Sequence, residues 1–201
     1  MSKPPPTATT VPAKPPRWYH GWWSGAQALR SPNEGQRPAG ATVDLVVLHS
    51  ISLPPGKFGG DQITQLFTNR LDWAAHRYFE QIRGLKVSAH FLIRRDGRLL
   101  QYVSGDRRAW HAGVSAWHGR DNCNDFSIGI ELEGLECGEF EPAQYAALPL
   151  LLKALARRYP LQAITGHQHI APGRKLDPGP GFSWAALVRQ SGFPAHLRVD
   201  I

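Results

Sequence analysis

The sequence predicts an α/β domain, because strand-like and helix-like segments alternate along the chain. Residues 43–50 (VDLVVLHS) carry apolar side chains on both faces of an extended segment, which indicates a central, covered strand. Residues 127–133 (SIGIELE) alternate between apolar residues and small or acidic ones, as a strand with two different faces does. From Pro142 to Tyr159, apolar residues recur at helical spacing, which predicts a helix.

Shorter elements are predicted in the rest of the chain. Residues 61–70 and 72–80 are predicted to be two short helices, and residues 163–166 a short strand. Residues 87–103 predict a hairpin, because two apolar runs flank the Asp-Gly pair at 96–97, which favours a type I′ turn.

Prolines mark the limits of the predicted helices. Pro142 suits a first helical turn, and Pro160 is expected to end the helix that it begins. Pro149 lies inside that helix and is expected to kink or break it. A last helix is expected from about Ser183, after a loop rich in glycine and proline.

The chain divides into a tail and one domain. Residues 1–16 hold six of the 17 prolines, and such a segment buries too little apolar surface to fold. We therefore expect residues 1–17 to form a disordered tail and residues 18–201 a single domain, onto which Trp22 and Trp23 pack. A chain of 201 residues is long enough to bury a sizeable core.

Charge and composition argue against several classes of function. The net charge of +7 comes partly from residues 1–33, which hold four basic residues and no acidic one, leaving 19 basic against 16 acidic residues elsewhere. Such a weakly basic body, without an aromatic and basic motif, does not support nucleic-acid binding. No apolar run approaches the roughly 20 residues of a membrane helix, and the N-terminus lacks a signal-like apolar stretch. With only Cys123 and Cys137 present, reduced thiols and a cytoplasmic location are expected.

Two of the nine histidines stand out because each comes at the C-terminal end of a predicted strand. These are His49 and His167, and Asp177 follows ten residues after His167 in a loop stiffened by prolines. Two imidazoles, one carboxylate and an open position form a catalytic zinc set, in which bound water has a pKa of about 7. The spacing leaves a rival set open, because His167 and His169 would share one face of a strand.

Other catalytic groups have weaker support. The sequence contains no G-x-S-x-G elbow, no P-loop and no G-x-G-x-x-G. Cys123 or Cys137 as a nucleophile stays open, although neither lies in a recognised catalytic context. Glu131 shares a strand face with small residues, so open space above it, as in the floor of a cleft, is expected. By itself, a glutamate in that pattern is more typical of a solvent-exposed strand face.

Five longer motifs carry a family resemblance. They are VVLHSISLPPGKFGG (46–60), VSAHFLIRRDG (87–97), AWHAGVS (109–115), CNDFSIGIELEG (123–134) and TGHQHIAPGRKLDPGPGF (165–182). In order and spacing, over about residues 21–184, the chain resembles the AmpD family of zinc-dependent N-acetylmuramoyl-L-alanine amidases. The resemblance implies a fold like that of the peptidoglycan-recognition proteins, with a mixed central β-sheet flanked by helices.

The resemblance also implies roles for residues of this chain. His49, His167 and Asp177 correspond to the zinc ligands, with one Zn²⁺ expected per chain. Glu131 corresponds to the general base, and Lys175 to the residue that stabilises the oxyanion. The implied reaction is hydrolysis of the amide bond between the lactyl group of N-acetylmuramic acid and L-alanine.

The expected substrate contacts include the positions at which the chain departs from the family pattern. Relatives commonly have Asn at the position of Ser50 and Arg at the positions of Lys86 and Asn122, which lie near the substrate peptide in the family. Lys86 keeps a positive charge but loses a bidentate fork, and Arg120 is expected to compensate for Asn122.

The remaining expected contacts lie on the sugar side. Trp110 and His111 are placed there by the resemblance, although Trp110 fits a core position equally well. The full set of expected substrate contacts is Ser50, Lys86, Trp110, His111, Arg120, Asn122 and Ala171.

The predicted function is therefore that of a cytoplasmic zinc amidase in peptidoglycan recycling. Its expected partners are small soluble 1,6-anhydromuramyl peptides, with no nucleic acid and no membrane, and the sequence does not indicate an oligomeric state. Two alternatives remain open. One is a non-catalytic peptidoglycan-binding module on the same fold, which has no need of all five catalytic and metal-binding residues. The other is an exported amidase acting on intact cell wall, which needs an export signal.

Overall fold

The N-terminal boundary of the domain lies slightly earlier than the sequence predicts. The computed structural model describes residues 15–201, so most of the predicted tail, residues 1–14, lies outside the described residues. Arg17 exchanges two hydrogen bonds with Ser24: its N donates to Ser24 Oγ at 2.8 Å, and Ser24 N donates to its carbonyl at 2.9 Å. Arg17 therefore belongs to the domain rather than to the tail.

The described residues form a mixture of short and long elements. The strands are β1 (Trp18–Tyr19), β2 (Trp22–Trp23), β3 (Gln27–Ala28), β4 (Glu34–Gly35), β5 (Leu45–Ile51), β6 (Phe91–Ile93), β7 (Leu99–Gln101), β8 (Arg108–Ala109), β9 (Ala116–Trp117), β10 (Arg120–Asp121), β11 (Ser127–Glu133), β12 (Ala163–Gly166) and β13 (Arg198–Val199). The α-helices are α1 (Gln62–Phe67), α2 (Arg77–Gln81), α3 (Pro142–Ala156), α4 (His167–Ile170) and α5 (Trp184–Val188), and 3₁₀ turns cover Trp73–Ala75 and Cys123–Asp125. No helix in residues 15–201 is both long and apolar enough to cross a membrane.

A seven-stranded mixed sheet forms the centre of the domain. Its order is β13-β12-β5-β11-β6-β7-β3. Each neighbouring pair is parallel except β6 and β7, which form the predicted hairpin. The prediction of a mixed central sheet flanked by helices is therefore confirmed. Strands β5 and β11 lie in the middle, as their apolar character requires.

Both faces of this sheet are covered. Val46 and Leu48 of β5 pack with Ile130 of β11 beneath α3 and α5, in the largest apolar cluster. On the opposite face, α1 and α2 close a second cluster over β6 and β7. A third cluster, around Leu45 and Val47, is closed by α4 and by residues 112–126. Burial on both sides explains why the β5 sequence shows no polar face.

Helix α3 differs from its prediction at Pro149. The helix runs without interruption from Pro142 to Ala156, although a proline removes one hydrogen bond and costs roughly 3 kcal/mol in a helix interior. Leu148 and Leu152 are fully buried against the sheet, and each such leucine contributes about 1.5–3 kcal/mol. Packing on the core therefore outweighs the local cost of the proline.

The hairpin turn is also different from its prediction. Gly97 N donates to the Arg94 carbonyl at 2.9 Å, and Arg94 N donates to the Arg98 carbonyl at 2.9 Å. Only Gly97 in this turn has a positive φ, of +83°, whereas a type I′ turn requires positive values at both central residues. The connection is a three-residue loop with a left-handed glycine, and Asp96 accepts a hydrogen bond from Arg98 N within it.

Candidate metal and active site

Three adjacent parallel strands end at the same edge of the sheet and bring the candidate residues together. His49 lies near the end of β5, and Glu131 of β11 is its direct partner in the strand register. His167 follows the last residue of β12, on the other side of β5. Carboxyl ends of parallel strands are where open sheets place ligand sites, and here they gather residues that are 36 to 118 positions apart in the sequence.

Two histidines and an aspartate converge at this edge. Asp177 Oδ2 lies 2.9 Å from His49 Nδ1 and 3.0 Å from His167 Nδ1, and the two nitrogens are 3.0 Å apart. All three side chains are buried. Their ligand atoms lie close enough together to hold one metal ion.

The donor chemistry of this cluster fits a cation. His167 Nε2 lies 3.0 Å from the carbonyl oxygen of Ala112, which can only accept, so Nε2 carries the proton of the neutral ring. His167 Nδ1 then turns a lone pair toward Asp177 Oδ2, and two such acceptors repel unless a cation lies between them. Zinc–ligand distances of about 2.0–2.1 Å in a tetrahedral site place ligand atoms about 3.3 Å apart. The observed separations differ from this by only a few tenths of an ångström.

The rival set that includes His169 is wrong. Residues 167–170 form helix α4 rather than a strand, so His167 and His169 do not share a face. His169 Nδ1 instead accepts from Gly166 N at 3.3 Å, and its Nε2 lies 3.0 Å from Gln168 Nε2.

Burial keeps the imidazole of His49 neutral at physiological pH. Desolvation, followed by the neighbouring imidazole of His167, lowers the pKa of His49 to about 4. A neutral imidazole is the form that binds a metal ion. His49 therefore does not have to lose a proton before it binds a cation.

Glu131 is a buried carboxylate with an unused oxygen. It is 8 % exposed, and within residues 15–201 its Oε2 has no hydrogen-bond partner. Burial, then the charge of Asp177, raises the pKa of Glu131 well above its ordinary value of 4.5, and Lys175 acts in the opposite direction. Both Glu131 and Lys175 line the same cleft as the three-residue cluster. Perturbed carboxylates of this kind are typical of catalytic sites.

The imidazole of His111 fills the open space that was expected on the face of β11 that carries Gly129 and Glu131. A Cβ atom placed on Gly129 would lie 2.4 Å from Cγ of His111, so only glycine leaves room for that ring. His111 Nδ1 lies 2.9 Å from His49 Nε2. His111 therefore lines the cleft, and it also contacts His49, a member of the cluster, which was not predicted.

The predicted substrate contacts separate into two groups. Ser50, Trp110 and His111 line the cleft. Lys86, Asn122 and Ala171 do not, although Lys86 is an exposed neighbour of Val87, which does. Asn122 is exposed with a φ of +63°, and Ala171 is buried, with its N donating to the His167 carbonyl.

Arg120 was expected to compensate at the substrate peptide, and the structure contradicts this. Its Nη2 donates to Asp44 Oδ1 at 3.0 Å, and its guanidinium lies 4.0 Å from the ring centroid of Phe126. These partners hold the side chain at a different surface, outside the lining of the cleft. A spacing of two residues from Asn122 carried no information about where the guanidinium points.

An apolar wall of the cleft was missed by sequence reasoning. It comes from the loop after β5, from helices α1 and α2, and from the segment that follows α2. Its members are Leu53, Leu66, Phe67, Tyr78, Ile82 and Leu85. The helices themselves were predicted, but nothing in their short patterns indicated that they face a cleft rather than only the core.

The thiols lie outside this cleft. Cys123 is fully buried, and burial raises the pKa of its thiol, which makes a thiolate nucleophile less accessible. Cys137 is exposed and does not line the cleft. A carboxylate with a free oxygen beside a cluster able to hold a cation is instead the arrangement of a metal-dependent hydrolase.

Comparison with known proteins agrees with this class. The family model for N-acetylmuramoyl-L-alanine amidase matches residues 39–180, and the chain belongs to that family. The 1,6-anhydro-N-acetylmuramyl-L-alanine amidase AmpD of Citrobacter freundii is 54 % identical over 176 residues, which cover 85 % of this chain and 94 % of the relative. The family resemblance predicted from the five motifs is thus confirmed.

Solved structures agree as well. A crystal structure of a selenomethionine AmpD derivative has a TM-score of 0.83 and 52 % identity, covering 85 % of this chain and 96 % of that one. The Escherichia coli amidase AmiD, in complex with the substrate anhydro-N-acetylmuramic acid-L-Ala-D-γ-Glu-L-Lys, has a TM-score of 0.53 and 32 % identity, covering 76 % and 59 %. A human PGRP domain shares the fold, with a TM-score of 0.57 at 15 % identity over 87 % and 99 %.

Proposed function

We propose that this protein is a zinc-dependent amidase that cleaves the amide bond between the lactyl group of 1,6-anhydro-N-acetylmuramic acid and L-alanine. The observation that carries the proposal is the convergence of His49, His167 and Asp177 in one cleft with Glu131, whose Oε2 has no hydrogen-bond partner among the described residues. The high identity to AmpD over most of both chains supports the same reaction.

The three-residue cluster would hold one zinc ion per chain. When bound, zinc supplies a Lewis acid that polarises a carbonyl and lowers the pKa of water to about 7. Asp177 and the two imidazoles would ligate through Oδ2 and Nδ1, the atoms that already face one another. A bound cation would also stabilise the ionised form of Glu131, whose burial otherwise favours the protonated acid.

Glu131 would act as the general base. Its Oε2 is free to accept a proton from the attacking water and to pass it to the nitrogen of the leaving L-alanine. Lys175 lines the same cleft, and its ammonium would stabilise the negative charge that develops on the carbonyl oxygen of the scissile bond. Both residues would thereby stabilise the transition state more than the bound substrate.

The substrate proposed is a small soluble anhydromuramyl peptide. The cleft combines an apolar wall with a floor of ionisable groups, which suits a ligand with a sugar ring and a charged peptide. Ser50 and Trp110 remain proposed contacts because they line it, and Lys86 remains a proposed contact at its rim. A cytoplasmic location is part of the proposal, and the unpaired state of Cys123 and Cys137 is compatible with a reducing compartment.

The proposal is tested by mass spectrometry of the products from an anhydromuramyl tripeptide. Free tripeptide and anhydro-N-acetylmuramic acid should appear, and a chelator should stop their formation until zinc is returned. Binding without cleavage would favour the non-catalytic peptidoglycan-binding module. Comparable rates on intact sacculi would contradict the recycling substrate but leave the amidase chemistry unaffected.

Metal analysis of variants tests the ligand set. Replacing His49, His167 or Asp177 with alanine should remove most zinc and most activity. His169→Ala is the matched control, because His169 is adjacent in sequence but makes no contact with the cluster. Loss of zinc from His169→Ala, with Asp177→Ala unaffected, would show the proposed set to be wrong.

A further inference from the structure

We propose that His111 and Ser127 are positioning residues that set the tautomer of His49, so that its Nδ1 presents a lone pair to the metal cluster. The inference rests on the proposed metal site. It concerns a series of hydrogen bonds that runs from the carbonyl of Cys123 through Ser127 and His111 to His49. Of these residues, only His49 is a proposed metal ligand.

The direction of this series of hydrogen bonds is set by Cys123. Ser127 Oγ lies 2.5 Å from the carbonyl oxygen of Cys123, which can only accept, so the single hydroxyl proton of Ser127 points there. Ser127 Oγ also lies 3.2 Å from His111 Nε2. Because its proton is already used, the hydroxyl must accept in this second bond, and His111 Nε2 must carry a proton.

The same logic continues across His111 to His49. A neutral imidazole has one proton, so His111 with a protonated Nε2 has a lone pair on Nδ1. That Nδ1 lies 2.9 Å from His49 Nε2, which must therefore be the donor. His49 then has no proton on Nδ1, the atom 2.9 Å from Asp177 Oδ2. Without this series of hydrogen bonds, His49 could instead carry its proton on Nδ1 and donate it to Asp177. Nδ1 would then have no lone pair with which to bind the metal.

His111 is held in place by its own surroundings. Its ring lies over Gly129, where any larger residue would displace it. The Oδ1 atom of Asn124, itself buried, accepts from the backbone N of His111 at 3.0 Å and from that of Ala112 at 2.9 Å. The carbonyl of Ala112 receives the bond from His167 Nε2. One anchored dipeptide thus orients both histidines of the cluster, by a side chain for His49 and by a carbonyl for His167.

The role differs from that of a substrate contact. A residue that only touches the sugar would change the Michaelis constant and leave the metal unaffected. A residue that orients a ligand changes metal affinity, typically by 10- to 100-fold when it is removed. Metal affinity and the tautomer of His49 are therefore the readouts that separate the two roles.

The test compares His111→Leu with His111→Gln. Leucine has a similar size but cannot accept a hydrogen bond, whereas the amide oxygen of glutamine can accept from His49 Nε2. Zinc affinity, measured by competition with a chromophoric chelator, should fall by roughly 10- to 100-fold in His111→Leu and by only a few-fold in His111→Gln. His118→Leu is the control, since His118 is exposed and contacts Asp200 rather than the cluster.

Ser127→Ala provides a second variant that does not touch a ligand. It removes the acceptor that holds the proton on His111 Nε2, and it should lower zinc affinity several-fold. The tautomer of His49 is read directly from ¹⁵N–¹H correlation spectra, which should show the proton on Nε2 in the wild type and a mixture of tautomers in Ser127→Ala. Melting temperatures of the metal-free variants identify any that fail to fold. Zinc affinity and the His49 tautomer are then compared only in the variants that do fold.

Three results would overturn the inference. The first is wild-type protein with the His49 proton on Nδ1, with or without zinc. The second is folded His111→Leu that binds zinc within twofold of the wild type. The third is a Ser127→Ala protein with an unchanged tautomer and unchanged zinc affinity. Wild-type protein that binds no zinc would contradict the proposed function instead, because the tautomer can still be read in the metal-free protein.

Discussion

Two carboxylates on strand β11 show how similar positions acquire opposite roles. Glu131 and Glu133 lie two residues apart on the same strand face, and both are buried. Glu133 Oε1 accepts from Arg94 Nη1 at 3.0 Å and from Gly59 N at 2.7 Å, and Oε2 accepts from Arg95 N at 3.3 Å. Glu131 Oε2 has no partner in residues 15–201.

The difference lies in what the surrounding elements offer. At Glu133, the β6–β7 hairpin and the loop before α1 supply a guanidinium and two backbone donors, so the charge is compensated inside the protein. At Glu131, the surroundings are a cleft, the candidate metal ligands and the ammonium of Lys175, which only partly offsets the burial of the carboxylate, so a bound cation or a proton would complete the compensation. A buried carboxylate with partners stabilises the fold, and one without them is available for chemistry.

The largest expected effect is on turnover, at Glu131. Glu131→Gln keeps the size of the side chain but cannot accept the proton of water, so kcat should fall by roughly 10²- to 10⁴-fold. Zinc content and circular dichroism should match the wild type. Glu139→Gln, at an exposed carboxylate nearby, is the control. A Glu131→Gln protein with at least a tenth of wild-type kcat would rule out the general-base role.

The next effect is on stability, at Glu133. Glu133→Gln leaves the buried guanidinium of Arg94 with only the exposed carboxylate of Asp61, 3.9 Å away, as a counter-charge, so the free energy of unfolding should fall by up to about 3–5 kcal/mol. Urea denaturation measures this change, and kcat of the folded fraction should stay within about twofold.

Removing the other charge sharpens this prediction. The double variant Arg94→Met with Glu133→Gln has no unpaired buried charge, and it should recover part of the stability lost in Glu133→Gln. Additive losses in the double variant would show that the ion pair is not what makes Glu133 structural.

A smaller effect is expected on the pH dependence of the metal-free protein. The pKa of Glu131 is raised by burial, so the stability that this group contributes is present below about pH 4.5 and is lost as pH rises through its folded pKa. Glutamine does not titrate. Metal-free Glu131→Gln should therefore be more stable than the wild type near pH 8, by about 1–3 kcal/mol, the usual cost of an unsatisfied buried group.

Thermal melts from pH 4 to pH 8 in the presence of a chelator measure that difference. It should shrink toward pH 4, where the wild-type carboxyl is protonated. Glu139→Gln should show no comparable trend. A wild type that is the more stable protein at pH 8 without metal would contradict the assignment of Glu131 as uncompensated.

The smallest effect is expected from the N-terminus. Removal of residues 1–14 should change the free energy of unfolding by no more than about 0.5 kcal/mol and leave turnover on the soluble substrate unchanged. Arg17 should be kept, since it is hydrogen bonded to Ser24. A loss of several degrees in melting temperature would show that this segment contributes to the stability of the domain.

Local sequence determined the elements of this protein and the positions at which strands end. The apolar pattern predicted β11 at its true limits and β5 to within two residues. This was possible because successive side chains of a strand alternate between its two faces, so that consecutive residues show which face is buried. The sequence also placed His49 and His167 at the ends of predicted strands, and the family resemblance joined them with Asp177 in one zinc set. The strands and their ends depend on residues close together in the chain.

The tertiary structure decided which side chains meet across long separations. Arg120 was expected at the cleft but pairs with Asp44, 76 positions away, because direction in space does not follow from spacing along the chain. His111 reaches His49 across 62 positions, in a space that Gly129 leaves empty. Glu131 and Glu133 are indistinguishable by pattern, and only the donors brought by other elements separate them. Local periodicity specifies faces and ends, whereas partners are set by the packing of the whole domain.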